Sequence, residues 1–120
     1  MAEHNALGEL GEQMAFNFLK KEGYTIVEKN WRFKKAEIDL IVQKKDTLIC
    51  VEVKTRSTDF FGDPQDFIDA KKIKLLVGAM NEYVESNDLD VDVRFDVIAI
   101  IHNKYKTKLE HFEDAFWHFY

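Results

Sequence analysis

Two acidic residues and a lysine lie close together in a stretch that is otherwise rich in branched apolar residues. They are Asp39, Glu52 and Lys54, and they fall on two segments, 37–42 and 48–54, separated by a short polar turn. A hard divalent cation such as Mg²⁺ is usually held by one or two carboxylates together with waters and phosphate oxygens. A lysine beside such a site can stabilise the charge that develops when a phosphoester is cleaved. These residue types therefore indicate metal-assisted phosphoester chemistry.

The two segments alternate with a period of two residues, which predicts two strands of a hairpin. A register that pairs Gln43 with Leu48 puts Asp39 directly opposite Glu52. Because successive side chains point to opposite faces of a strand, we expect one charged face and one apolar face. The charged face comprises Glu37, Asp39, Glu52 and Lys54, and the apolar face comprises Ile38, Leu40, Val51 and Val53.

The same hairpin has a simpler interpretation, in which its charged face is exposed to water. Charged alternation is common on antiparallel strands that have one solvated face. Like charges opposite each other destabilise a strand pair, however, and a charge near a core is costly unless it is paired or binds a metal. The spacing alone leaves both interpretations open.

A longer set of motifs, extending from about Gly8 to Ile101, resembles one family of proteins. The motifs are Gly11-Glu12, Asn30-Trp31-Arg32, Glu37-Ile38-Asp39-Leu40-Ile41, Val51-Glu52-Val53-Lys54-Thr55-Arg56 and Arg94-Phe95-Asp96-Val97. Together they are similar to the YraN-like family, which is classed with the restriction-endonuclease-like nucleases of the PD-(D/E)XK type. Asp39 and Glu52-x-Lys54 match the D…(D/E)-x-K core of those nucleases.

The resemblance implies an α/β fold with a restriction-endonuclease-like core, in which helices flank a mixed central β-sheet. It implies a metal-dependent endonuclease, a hydrolase with DNA as the expected substrate and branched or damaged structures among the forms to consider. In such an enzyme Asp39 and Glu52 would bind Mg²⁺ or Mn²⁺, and Lys54 would stabilise the transition state. Glu12 and Glu37 would have auxiliary roles.

The elements that must position the hairpin begin with a helix over about residues 5–22. Its apolar stripe at helical spacing consists of Leu7, Leu10, Met14 and Phe18. Glu12 lies on a second edge, among small and apolar residues, with no cation three or four positions away. A short strand over residues 24–28 follows this helix, and residues 30–33 either continue it or bend into the strand of Glu37.

After the hairpin, the sequence predicts a loop over 55–63, a helix that Asp69 caps, and a strand over 93–101. This last strand is strongly apolar apart from Arg94 and Asp96, so we expect it to be buried on both faces and parallel to the strand of Glu52. Residues 109–120 supply an edge strand or a final aromatic segment. The order α-β-β-β-α-β with a tail agrees with the implied fold, and 120 residues correspond to a single domain, 1–120.

Several cations are candidates for binding the phosphates of a nucleic acid. They are Arg32, Lys34, Lys35, Arg56, Lys71 and Lys72. The net charge of −5 argues against strong non-specific binding, but a locally basic face can bind phosphates while the opposite side stays acidic. Each lysine is equally well explained as a solvated surface residue. Phe60 and Phe61 could stack on an unpaired base or pack beneath their loop.

Other functions were compared with the nuclease hypothesis. The four histidines and the lone Cys50 lack zinc-ligand spacing, and the chain has no glycine-rich phosphate loop. No serine or cysteine has an obvious base and orienting partner. A non-catalytic nucleic-acid-binding or adaptor module on the same fold is the main alternative. A structural protein that docks through the aromatic residues 116–120 is the third.

The cellular compartment is inferred from the composition. No apolar run approaches the ~18 residues of a membrane-spanning helix, and the N-terminus lacks a signal-peptide pattern. Cys50, within an apolar strand, is typical of a buried thiol in a reducing compartment. We therefore expect a cytoplasmic protein without a membrane partner. The sequence leaves the oligomeric state and the choice between DNA and RNA open.

Overall fold

The computed structural model describes residues 2–58 and 68–116. The elements in these residues are α1 (Ala2–Lys21), β1 (Thr25–Phe33), β2 (Ala36–Lys44), β3 (Thr47–Arg56), α2 (Ala70–Ser86), β4 (Asp92–His102) and β5 (Thr107–Phe112). The predicted order is confirmed, and the tail contributes an edge strand, β5. Phe60, Phe61 and residues 117–120 lie outside the described residues.

The strands form one mixed sheet in the order β1-β2-β3-β4-β5. Neighbouring strands are antiparallel except for β3 and β4, which run parallel as predicted. A parallel pair needs a long crossover, and α2 lies in the segment between these two strands. Strand β3 is in the middle of the sheet, and residues 48–52 are therefore at most 2% exposed. This mixed sheet with two flanking helices is consistent with a restriction-endonuclease-like core.

Two hydrophobic clusters hold the helices against the sheet. Residues Ile73, Leu76 and Met80 of α2 belong to one cluster, together with Leu48 and Phe95 of the sheet. The other cluster is formed by α1 and includes Ala15, Leu19, Val42, Ile49 and Ile98. Each helix therefore buries one apolar stripe of its surface against the sheet.

The stripe predicted for α1 is wrong at its centre, because Leu10 is 41% exposed. The buried stripe is instead Gly11, Ala15 and Leu19. A Cβ added at Gly11 would overlap the side chain of Thr55. The helix therefore approaches β3 through its smallest residues, and this close approach brings its neighbour Glu12 toward the end of β3.

Strand β1 is longer than the predicted segment 24–28 and continues to Phe33. Its register with β2 shifts between Ile26 and Glu28, and Asn30 has a positive φ of 50°. Asn is one of the few residues that adopt this conformation readily. A local irregularity of this kind bends a strand without ending it, so residues 30–33 continue β1, which is one of the two alternatives that the sequence left open.

Helix α2 begins as predicted, with Asp69 as its N-cap. The Asp69 carboxylate accepts the backbone N–H of Lys72 at 2.8 Å, which satisfies one of the free donors of the first turn. Neither of the described helices is long and apolar enough to cross a membrane.

Candidate functional site

The β2–β3 hairpin has the predicted register, with Gln43 paired with Leu48. The ladder of paired residues ends at Leu40 and Val51. Asp39 is the next residue of β2, and its carboxylate accepts the backbone N–H of Val53 at 2.8 Å. If the β2–β3 ladder continued, a backbone carbonyl of β2 would accept the Val53 N–H. The Asp39 side chain accepts it instead.

The predicted division of β2 into a charged and an apolar face is wrong around Asp39. Ile38 packs in the cluster beneath α2, whereas Leu40 packs in the cluster beneath α1. Strict alternation would put both residues on the same face. The break coincides with the turn of the Asp39 carboxylate toward the β3 backbone, so Asp39 does not simply project from one face beside Glu52.

Glu52 lies on the α2 side of β3 and is 2% exposed. Its Oε1 contacts Lys72 Nζ at 2.5 Å, while its Oε2 has no hydrogen-bond partner among the described residues. Burial, with a further contribution from the charge of Asp39, raises the pKa of Glu52 to about 7 although Lys72 opposes this. A buried carboxylate oxygen without a partner is costly, so this position favours a proton or an additional cation.

Asp39 and Lys54 are less buried than Glu52, but their pKa values are also shifted. Burial raises the pKa of Asp39, although the hydrogen bond from Val53 opposes the change. Burial and the neighbouring Lys72 lower the pKa of Lys54. Two carboxylates and two ammonium groups are therefore held together, and each electrostatic interaction among them is stronger than it would be in water.

A cavity of about 260 Å³ opens onto these groups. Its lining includes Glu12, Asp39, Glu52, Lys54, Thr55, Arg56 and Lys72. Helix α1 thus brings Glu12 to the same cavity as the two hairpin carboxylates. Burial and the charge of Asp39 raise the pKa of Glu12, while a hydrogen bond with the Asn30 side chain opposes the shift. No local pattern in the sequence indicates that Asn30 is the partner of Glu12.

A second cavity, of about 340 Å³, lies beside the first and shares Asp39 and Lys72 with it. Lys35, Glu37 and Lys71 also line it. These last three residues are exposed. The first cavity gives Asp39 and Glu52 an approach past α1, and the second gives Asp39 another approach past the N-terminus of α2.

The remaining predicted cations do not all converge on this site. Arg32 Nε lies 3.3 Å from Glu37 Oε2 in an exposed ion pair, an arrangement that contributes little to stability. Lys34 lies above the Phe33 ring, with its Nζ 5.2 Å from the centroid. The structure therefore gathers Lys35, Arg56 and Lys72 with Lys71 around the two cavities and leaves Arg32 and Lys34 at the β1–β2 turn.

The contact between Lys72 and Glu52 was missed in the sequence. In the sequence Lys72 was a candidate only for binding phosphates, but it lies in the first turn of α2, where the helix dipole disfavours positive charge. That unfavourable position was the available signal, since it indicates that a negative partner is nearby. Although partial burial acts to lower it, the contact with Glu52 raises the pKa of Lys72.

The donor set was tested for its fit to a divalent cation. Within residues 2–58 and 68–116, no group of three or more His, Cys, Asp and Glu side chains is arranged to hold a metal ion. Mg²⁺ does not require such a group, because one or two carboxylates with waters and substrate phosphates suffice. Asp39 and Glu52 supply two carboxylates, and Glu52 Oε2 is a buried oxygen that forms no hydrogen bond with any described residue. Oxygen ligands of this kind fit Mg²⁺ or Mn²⁺.

A second buried carboxylate shows what a fully paired site looks like in this fold. Asp96 is 0% exposed and accepts hydrogen bonds from Arg94, His111 Nε2 and the backbone N–H of Asp114, at 2.8–2.9 Å. Although burial acts to raise it, these hydrogen bonds lower the pKa of Asp96. Asp96 thus joins β4 to the turn after β5, and its oxygens, unlike Glu52 Oε2, are satisfied.

A family model and individual relatives of this chain identify the same protein family. The model of the uncharacterised protein family UPF0102 matches residues 11–100, which include Glu12, Asp39, Glu52 and Lys54. A UPF0102 protein from Flavobacterium psychrophilum is 60% identical over 119 residues, covering 99% of this chain and 100% of the relative. UPF0102 proteins from Christiangramia forsetii and Parabacteroides distasonis are 56% and 43% identical, covering 99% and 98% of this chain and 100% and 97% of the relatives.

Proposed function

We propose that this chain, which belongs to the uncharacterised protein family UPF0102, is a metal-dependent nuclease that hydrolyses phosphodiester bonds. DNA is the expected substrate, and Mg²⁺ or Mn²⁺ the expected cofactor. The match to UPF0102, which is the YraN-like family, confirms the resemblance found in the sequence. The arrangement of the site supports the classification of this family with the nucleases.

The observation that carries the proposal is the state of Glu52. Its carboxylate is buried in the middle strand, beside Asp39, with an oxygen that no described residue satisfies. A carboxylate that serves only the fold is expected to have both oxygens paired, as Asp96 has. A buried, unpaired oxygen on one of two carboxylates that interact electrostatically is typical of a cation site.

Each side chain has a distinct role in the proposed reaction. Asp39 and Glu52 would hold a divalent cation, which would supply a polarised water and neutralise charge on a phosphate oxygen. The hydrogen bond from Val53 fixes the orientation of the Asp39 carboxylate. Lys54, which lines the same cavity, stabilises the negative charge that develops on the phosphate. Glu12 and Glu37 contribute negative charge around the two carboxylates.

Cleavage of a panel of labelled nucleic acids tests the proposal. The panel contains single-stranded DNA, duplex DNA, a flap, a four-way junction and RNA, each incubated with Mg²⁺ or Mn²⁺. We expect cleavage of at least one DNA structure by the wild type and its loss in Glu52→Gln. Glu85→Gln, which neutralises an exposed glutamate of α2, should cleave like the wild type. Absence of cleavage with both metals, or full activity of Glu52→Gln, would contradict the proposal.

A non-catalytic nucleic-acid-binding or adaptor module is the second candidate, and one contact favours it. Lys72 already neutralises part of the charge of Glu52 without any metal. A protein that kept this ion pair permanently would need no cation and would have no turnover. The same panel distinguishes the two functions, since a binding module would retain DNA in the presence of Mn²⁺ without cleaving it.

A further inference from the structure

We propose that Lys72 is a built-in counter-ion of Glu52, which a divalent cation displaces, and that the displaced ammonium group then binds a substrate phosphate. Metal and nucleic acid would consequently bind to this site cooperatively. The inference rests on the proposed function, because it assumes a cation site at Asp39 and Glu52. It adds a regulatory role for a residue that lies outside the D…(D/E)-x-K motif.

The two partners of this ion pair differ in their freedom to move. The Glu52 side chain is 3% exposed and belongs to the middle strand of the sheet, whereas the Lys72 side chain is 39% exposed and reaches the site from α2. A lysine ammonium group is carried by a flexible four-carbon stem. If the pair opens, Lys72 is therefore the partner that moves.

Movement of the Lys72 side chain requires no change in the helix. The backbone N–H of Lys72 is held by the Asp69 cap, and the next residue, Ile73, is buried in the core. The helix start is thus anchored independently of the ion pair. Only the side-chain torsions of Lys72 need to change.

A divalent cation and the Lys72 ammonium group compete for the same negative charge. The ammonium group contacts Glu52 Oε1 and also interacts electrostatically with Asp39. A cation bound by both carboxylates would lie close to this positive group, and the two would repel each other because such interactions are weakly screened at a buried site. Binding of the cation is therefore favoured by departure of Lys72.

The structure offers Lys72 an alternative position in the second cavity. Lys72 lines both cavities, and the second one is also lined by Lys35 and Lys71. Glu37, Asp39 and Asp69 also line this cavity, so a cation bound to Asp39 would leave two carboxylates for three ammonium groups. A substrate phosphate supplies the missing negative charge. A phosphate that binds the Lys72 ammonium group leaves the Glu52 carboxylate free to bind the cation. In turn, a cation bound to Glu52 leaves Lys72 free to bind the phosphate. By linkage, each ligand must strengthen the binding of the other by the same factor.

Calorimetric titration with Mn²⁺ alone is the first test. We expect Lys72→Met to bind Mn²⁺ about tenfold more tightly than the wild type, because the competitor is gone; this factor lies within the usual range of coupling between sites. Lys74→Met, which removes an exposed lysine of the same helix, should bind like the wild type. Equal or weaker binding by Lys72→Met overturns the inference while the proposed function stands. Absence of Mn²⁺ binding by every variant overturns both.

The second test measures the coupling directly. A short phosphorothioate DNA that resists hydrolysis is titrated into the protein with and without Mn²⁺, and binding is followed by fluorescence anisotropy. Mn²⁺ should strengthen binding to the wild type by at least about fivefold and should have less effect on Lys72→Met than on Lys74→Met. An equal effect of Mn²⁺ on these two variants overturns the inference.

A third test uses the wild type and so does not depend on the folding of a variant. The protein is treated briefly with an amine-acylating reagent, and modification of individual lysines is measured by mass spectrometry. Mn²⁺ should increase the modification of Lys72 severalfold while leaving that of Lys74 unchanged. If Mn²⁺ binds and the modification of Lys72 does not increase, the ammonium group has not left Glu52 and the inference is wrong.

Discussion

The Asp39 carboxylate accepts the backbone N–H of Val53 at 2.8 Å. Asp39 lies one residue beyond the last ladder pair of β2 and β3, Leu40–Val51, and Val53 lies two residues beyond it. This hydrogen bond satisfies a backbone donor that would otherwise be left free in a half-buried position. It also fixes one oxygen of Asp39, and the carboxylate is oriented before any ligand arrives. Preorganisation of this kind lowers the cost of assembling a charged site.

Asp39→Asn is expected to weaken Mn²⁺ binding while preserving the fold. The amide oxygen of Asn can still accept the Val53 N–H, but the neutral side chain is a poorer cation ligand. We expect a loss of at least about tenfold in affinity, since even residues that support metal ligands typically cost 10–100-fold. Calorimetry measures the affinity, and circular dichroism monitors the fold. Equal Mn²⁺ affinities of Asp39→Asn and the wild type would remove Asp39 from the site.

Lys54→Met should reduce turnover without reducing Mn²⁺ affinity. Lys54 is assigned to charge stabilisation, and loss of one such donor typically costs ~10²–10³ in rate. Single-turnover cleavage of the best DNA substrate gives the rate, and calorimetry gives the affinity for Mn²⁺. A variant that cleaves at the wild-type rate would show that Lys54 has only a structural role.

The free energy of unfolding of the metal-free protein should depend on pH through Glu52. Burial raises the pKa of this carboxyl from 4.5 to about 7, so the folded state binds more protons than the unfolded state between these values. The Glu52 contribution to stability therefore decreases as pH rises from about 5 to 8.

Glu52→Gln removes this dependence and provides the measurement. Relative to the wild type, it should become more stable at pH 8 than at pH 5 by on the order of 2 kcal/mol, because one pKa unit corresponds to about 1.4 kcal/mol. Urea unfolding with a chelator present at both pH values gives the two differences. A difference between the proteins that is independent of pH would show that Glu52 titrates normally.

Gly11→Val should destabilise the protein by about 1–3 kcal/mol, the usual cost of overpacking. Any Cβ at this position would overlap the Thr55 side chain, so α1 must move away from β3. Gly8→Ala is the matched control, because a Cβ there meets no described atom within 4 Å. It should be neutral or stabilising by up to about 1 kcal/mol through helix propensity. Urea unfolding measures both, and equal stabilities of the two variants would refute the close packing.

Lys35→Gln combined with Lys71→Gln should weaken DNA binding and reduce its salt dependence. Each lost phosphate contact should lower the slope of log affinity against log salt by roughly 0.9 for duplex DNA or roughly 0.7 for single strands. Lys20→Gln combined with Lys21→Gln, in the last turn of α1, is the control. If both double variants have the same slope, the phosphates are bound elsewhere.

Much of the fold follows from local patterns in the sequence. The alternation on either side of the polar turn indicated a β-hairpin, and the Gln43–Leu48 register considered for it is the one that the structure has. Asp69 marked the start of α2, since a short acidic side chain satisfies the free N–H groups of a first turn. The strongly apolar segment over 93–101, interrupted only by Arg94 and Asp96, indicated a strand buried on both faces, as β4 is.

Tertiary structure alone decided which side chains meet at the site. Lys72 and Glu52 are twenty residues apart in the sequence, and their contact depends on where the crossover places the first turn of α2. The break in alternation at Asp39 arises because its side chain bonds to the backbone of another strand, which a period of two residues cannot indicate. The close approach at Gly11 likewise depends on the shape of β3 at Thr55. Periodicity reports which face of an element is apolar, whereas the site is made by residues that only packing brings together.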